Sequence, residues 1–76
     1  MKIKDSHKDI LEFVLYGTGQ NSIADAKVYL DTEDLWNDFV DTLNDPRFWS
    51  IPSKATLSDA KELLNQYLFV TVSDIQ

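Results

Sequence analysis

The sequence predicts a small α+β domain: an antiparallel sheet of about three strands with two helices packed on one face, in the order β-β-α-α-β. Three observations lead there. Residues 25–31 alternate, with Ala26, Val28 and Leu30 facing one way and Lys27, Tyr29 and Asp31 the other. Leu35, Trp36, Phe39, Val40 and Leu43 recur at helical spacing. Residues 68–72, Leu-Phe-Val-Thr-Val, are rich in β-favouring side chains.

Residues 1–17 admit two assignments. Ser6-His7-Lys8-Asp9 has the form of a capping box, with Ser6 as N-cap and Gly17 as a C-terminal stop. Residues 10–16 (ILEFVLY) are also a compact strand-tolerant run bounded by turn signals, and periodicity does not separate the two over so short a span. A strand is preferred, because two strands alone would be marginal in water. Residues 17–22 form a loop under either assignment. Residues 25–31 are the second strand. Its competitor is a helix from Ser22, since Ser22-Ile23-Ala24-Asp25 also has capping-box form; it ranks second because Asp31-Thr32-Glu33-Asp34 would interrupt its apolar face.

A helix over residues 32–44 follows, capped by Asp31 or Thr32, with acids in its first turn where the dipole favours them. Asn44-Asp45-Pro46 ends it. Residues 46–55 form a connector carrying Phe48, Trp49 and Ile51. Thr56-Leu57-Ser58-Asp59 is a capping box opening the second helix, with Ala60, Leu63, Leu64 and Tyr67 on its buried face. Residues 68–72 close the sheet.

The 76 residues suit one domain spanning 1–76, with no repeat, linker or low-complexity tract. A domain this size hides only about 60% of its unfolded surface, so its core is modest. Hydrophobic residues make up 43% of the chain, with four Phe, three Tyr and two Trp, which is a folding composition. There is no cysteine, so neither a disulfide framework nor a thiolate metal site can form. Small secreted domains usually need such staples, so a cytoplasmic setting is expected. No apolar run approaches the ~18 residues of a membrane span. The start, MKIKDSHKD, lacks the apolar core of a signal peptide.

The charge is concentrated. The net charge is −6, and Asp31, Glu33, Asp34, Asp38, Asp41 and Asp45 all lie within residues 31–45, where there is no Lys or Arg. Elsewhere acids and bases balance. Asp31, Asp34, Asp38, Asp41 and Asp45 follow a 3,4,3,4 spacing, which on one helix places them within an arc of about 80° opposite the apolar face. Like charges at i,i+4 oppose helix formation by roughly 0.2–0.5 kcal/mol per pair, and Asp is a poor interior helix former. A local rule broken without visible compensation points to function. The ridge would present carboxylates rising about 5 Å per step, comparable with phosphates along a nucleic-acid strand. The bland alternative is a solvated face, the usual fate of a charge run.

Arg47-Phe48-Trp49 follows directly and contains favoured interface residue types, though Phe48 and Trp49 could equally cap the core where the chain turns. Trp36 falls on the apolar helix face and is expected in the core. His7, the single histidine, is expected exposed in a first turn or loop; with no Cys or second His it makes no zinc site. The carboxylates do not match a calcium loop, and no nucleophile elbow, P-loop or dinucleotide fingerprint occurs. Exposed carboxylates would not have the separated pKa values that acid–base catalysis needs. No catalytic, metal or cofactor residue is therefore assigned. Asn21-Ser22-Ile23 resembles the Asp-Ser-Leu attachment motif of acyl carrier proteins. The sequence departs from that pattern in the Asn, in having only 21 residues before the serine, and in its β-rich end.

The expectation is a non-enzymatic binding protein, a small acidic inhibitor or adaptor. Asp31, Asp34, Asp38, Asp41 and Asp45, with Arg47, Phe48 and Trp49, would dock on a basic, nucleic-acid-binding surface of a partner protein. Direct nucleic-acid or membrane binding is not expected at this charge. The rival is a structural accessory or assembly subunit that self-associates through residues 46–52 or a sheet edge, with the acids only solvated.

Overall fold

The computed structural model describes residues 3–49 and 52–75, so Ile51 of the connector lies outside them. These residues form five helices: α1 Asp5–Thr18, α2 Ile23–Thr32, α3 Trp36–Leu43, α4 Leu57–Asn65 and α5 Val72–Ile75. The expected α+β sheet is overturned. Among the described residues the only β pairing is an isolated antiparallel bridge between Ser22 and Thr71.

Each of the three expected strands fails for a local reason. Residues 10–16 belong to α1, whose buried stripe is Ile10, Leu11, Val14 and Leu15. Its cap is not Ser6: Lys4 takes the N-cap position without a side-chain bond. Its stop is not Gly17 but Gly19, in the left-handed region at φ 71, and the Gln20 N–H returns to the Leu15 carbonyl.

Residues 25–31 belong to α2, the helix that the sequence ranks second. The Ser22 hydroxyl accepts from the Asp25 N–H at 3.2 Å. Ile23, Ala26 and Leu30 are buried at helical spacing, while Val28, inward in the strand assignment, is 65% exposed. The acidic block ends the helix rather than interrupting it. Asp34 adopts φ 55, its N–H reaches the Asp31 carbonyl at 3.4 Å, and the Leu35 N–H reaches the Leu30 carbonyl at 2.9 Å. That is a Schellman stop with Leu30 and Leu35 as its apolar pair.

The β-rich residues 68–72 form a turn and a helix start. The Leu68 and Val70 carbonyls accept from the Ala24 and Ile23 N–H groups, and the Val72 N–H reaches Asn21. The backbone groups that a sheet would have used instead satisfy the otherwise free amides at the start of α2. Thr71 then precedes α5, donating to the Asp74 carboxylate from its N–H at 2.8 Å and its hydroxyl at 3.2 Å.

The other two helices follow the sequence more closely. α3 begins at Trp36 rather than 32, and it buries Trp36, Phe39 and Leu43 as its spacing demands. α4 carries both halves of the Thr56–Asp59 capping box and buries Ala60, Leu63 and Leu64. Tyr67 is buried just beyond its end. The α3–α4 connector is anchored by Asn44. Its side chain accepts from the Ala55 N–H at 2.7 Å and donates to the carbonyls of Ala55 at 3.2 Å and Val40 at 3.0 Å.

α1 packs on α2 and α5, α2 on α4, and α3 on α4. α1 and α3 are not among these closely packed pairs, and a groove opens between them.

Candidate functional site

The acidic ridge does not exist as one line. The expected helix 32–44 is two elements, the end of α2 and α3, joined through the left-handed Asp34. Asp31 sits in the last turn of α2, where the dipole disfavours a carboxylate, not at a helix start. Its side chain lines a cleft with Lys27, Lys61, Val28 and Leu68 on the α2–α4 side. Asp38, by contrast, lines the groove between α1 and α3. Asp34 and Asp41 are exposed away from both.

Asp45 has turned back on its own chain. Its carboxylate accepts from the Arg47 N–H at 2.9 Å and from Arg47 Nε at 3.2 Å. The backbone bond first, and then the guanidinium, hold its carboxyl below the usual range. Arg47 lies over the Phe48 ring, 5.2 Å from its centroid.

Phe48 and Trp49 are half-buried against the core but diverge. The Phe48 ring meets that of Phe13 at 5.9 Å. Trp49 donates from Nε1 to the Ser53 carbonyl at 2.9 Å and lines a separate cleft with His7 and α4. Trp36, 8% exposed, is a core residue as expected, with Phe39 edge-on at 6.2 Å and Lys61 Nζ 5.4 Å over its ring. His7 does lie in the first turn of α1, but it is not fully exposed. Its Nδ1 is 2.7 Å from the hydroxyl of buried Tyr67.

What the fold brings together is a different constellation centred on α1. The α1–α3 groove holds a cleft of about 160 Å³ lined by Phe13, Val14, Gly17, Leu30, Leu35 and Phe39, with Thr18, Asp38 and Thr42 as its polar residues. Both threonine hydroxyls are engaged, Thr18 with the Val14 carbonyl at 2.8 Å and Thr42 with the Asp38 carbonyl at 3.0 Å. A second cleft continues from it across Phe13 and Gly17, bounded by Asp9, Glu12, Tyr16, Arg47 and Phe48. Phe13 is 43% exposed and Tyr16 57% exposed. Of the eight residues singled out in sequence, Asp38, Arg47 and Phe48 therefore meet at this surface, and the other five do not.

The residues missed are Asp9, Glu12, Phe13, Tyr16 and Gly17. Asp9, Glu12, Phe13 and Tyr16 are spaced i, i+3, i+4, i+7, the signature of one helix face, and it is visible only once residues 10–16 are taken as helix.

The carrier-protein resemblance gains and loses. Its β-rich end is no longer an objection, since that end is a turn and helix. Yet Ser22 is a half-buried capping residue whose backbone pairs with Thr71, and Asn21 still replaces the motif's Asp. Among the described residues no helix is long and apolar enough to cross a membrane, and no group of three His, Asp or Glu is placed to hold a metal. Comparison with known proteins gives no match: no family model fits the chain, and no curated protein or solved structure is significantly similar to it.

Proposed function

We propose that this chain is a non-enzymatic binding module, a small cytoplasmic adaptor or inhibitor, that docks a basic and apolar segment of a partner protein in the α1–α3 groove. One observation carries this: exposed Phe13 and Tyr16 share a helix face whose cleft-lining charges are Asp9 and Glu12, beside an apolar cleft with Asp38 at its edge. Aromatic anchors within an acidic surround suit a partner that is apolar at its centre and cationic at its edges. Arg47, the one base among the described residues that line the two clefts, is already engaged by Asp45. The net charge of −6 argues against nucleic acid or an anionic membrane as the direct ligand. The acids outside the groove, Asp34 and Asp41 among them, would assist approach rather than docking.

A test begins with affinity capture at low and high salt, followed by binding of the captured partner to a Phe13→Ala/Tyr16→Ala double variant. Loss of at least tenfold in affinity with an unchanged helical spectrum is expected. Unchanged affinity would move the interface elsewhere.

One observation favours the rival class, an assembly subunit. Phe69 is 83% exposed in the turn after α4, next to Leu68, which lines the α2–α4 cleft with exposed Val28. With no sheet edge among the described residues, self-association would use this exposed apolar face or the connector 46–52. Sedimentation of the native chain and of Phe69→Ser separates the two: a concentration-dependent oligomer abolished by Phe69→Ser supports assembly.

A further inference from the structure

The chain has two glycines, and only one is needed by its own fold. Gly19 stops α1 at φ 71, a conformation that disfavours a side chain. Gly17 lies within the last turn of α1 with no positive φ, and a Cβ built on it would meet nothing within 4 Å. Alanine would fit there and favour the helix. Gly17 is also where the two clefts meet, since both are lined by it and by Phe13. The chain leaves open, at a helix position where glycine is unfavourable, a space that its own packing does not use.

The groove has helices on both sides, and their backbone groups are consumed internally. Even the Thr18 and Thr42 hydroxyls bond back to their own helices. A strand or extended peptide laid here would therefore find no backbone partners and would bury its own N–H and C=O groups unpaired. A helix closes its backbone bonds itself. Residues 9–18 of α1 offer it about 14 Å, roughly two and a half turns. A bare backbone at Gly17 permits close helix–helix approach. The cleft beside it, about 160 Å³ and open to solvent, is close in size to an enclosed apolar cavity of about 150 Å³ that takes a benzene-sized group. The carboxylates at the edges, Asp9, Glu12 and Asp38, select cations, while Arg47, which bounds the second cleft, is paired with Asp45. A second copy of this chain does not fit that requirement, because each of its helices α1 to α5 is itself net acidic.

We infer that the groove receives a basic amphipathic helix of a partner protein, crossing α1 at Gly17, with one large apolar side chain seated between Phe13, Leu35 and Phe39 and lysines or arginines facing Asp9, Glu12 and Asp38. This rests on the groove being the docking surface, as proposed above.

The test is a displayed library of random 16-residue peptides selected against the native chain, with the enriched peptides then measured on Gly17→Ala and Gly17→Leu. The Cβ of either variant enters open space, so Gly17→Ala should keep or raise stability, and an unchanged helical spectrum checks that Gly17→Leu is folded. Enriched sequences should carry Lys or Arg together with apolar residues at i, i+3 or i+4 and i+7. The synthetic peptides should gain helical circular dichroism on binding. Affinity should fall severalfold with Gly17→Ala and at least tenfold with Gly17→Leu. Basic peptides with no helical period, or with equal affinity for Gly17→Leu, would overturn the helix inference while leaving the acidic groove standing. Failure to enrich basic peptides at all would overturn both.

Discussion

His7 Nδ1 lies 2.7 Å from the hydroxyl of Tyr67, joining the first turn of α1 to a buried residue two positions beyond the end of α4. Partial burial, and then the nearby Lys4 charge, hold His7 below the ordinary histidine value of about 6.5. A neutral ring can accept the tyrosine proton at Nδ1, whereas an imidazolium can only donate there. Below about pH 6.5 the unfolded chain takes up a proton that the folded chain resists. The stabilising contribution is therefore complete above that pH and is lost as pH falls toward and through the lowered folded value. Urea unfolding at pH 7.5 and 5.5 should show lower stability at 5.5, and His7→Gln should flatten that step. Tyr67→Phe should cost about 1 kcal/mol. The same pH slope in His7→Gln would refute the assignment.

Asn44 is the clamp of the α3–α4 connector. Asn44→Ala leaves the Ala55 N–H without its partner in a buried position, and such an orphan costs about 1–3 kcal/mol. Asn37→Ala, on an exposed face of the same helix, should stay within about 0.5 kcal/mol of the parent. Chemical denaturation of the two variants side by side checks this; equal effects would show that the clamp carries no weight.

Asp34 holds a left-handed conformation that glycine adopts freely and β-branched residues resist. Asp34→Gly also removes one of the crowded carboxylates, so stability should stay level or rise by up to about 1 kcal/mol, despite the added freedom of the unfolded chain. Asp34→Val should lose more than about 1 kcal/mol. Melting temperatures report both, at roughly 4–8 °C per kcal/mol for a chain this short.

The contrast between α4 and α2 explains how much of this fold can be read from residue order. α4 announces itself twice, through a complete Thr56–Asp59 capping box and through Ala60, Leu63 and Leu64 at helical spacing. Residues 25–31 satisfy both periods, because Ala26 and Leu30 recur at i and i+4 and also at even positions. What decides between them is tertiary. Ile23 and Ala24 obtain acceptors from Val70 and Leu68, far away in sequence, and the same contact withdraws residues 68–72 from strand pairing. One long-range junction thus converts two apparent strands at once, and neither half signals the other. The same ambiguity reaches the site. A strand over residues 10–16 puts Phe13 and Tyr16 on opposite faces, and the chain's acidity points to residues 31–45 alone. Asp45 could be assigned to a ridge only because its turn back to Arg47 is a local loop geometry that spacing does not encode.

The placement of charge gives the sharpest separation between a docking groove and a solvated acidic face. Replace Asp9 by Asn, Glu12 by Gln and Asp38 by Asn in one variant, and Asp31, Asp34 and Asp41 by Asn in another. All six residues are exposed, and each variant removes the same charge from a chain of net −6. Long-range attraction to a basic partner therefore weakens by a similar amount in both, mainly in the association rate, and fades with salt because screening acts over roughly 10 Å at 0.1 M. Stability should change by no more than about 1 kcal/mol in either, since exposed charges contribute little. Short-range pairing differs. If a partner's cations sit against Asp9, Glu12 and Asp38, the first variant should also dissociate faster, with at least a tenfold loss of affinity, about 1.4 kcal/mol, that persists in high salt. The second should recover parental affinity once salt is raised. Binding kinetics of the captured partner at two ionic strengths measure this. Equal losses would relocate docking to the outer acids, and no loss in either would leave the acidity of this chain a matter of solubility.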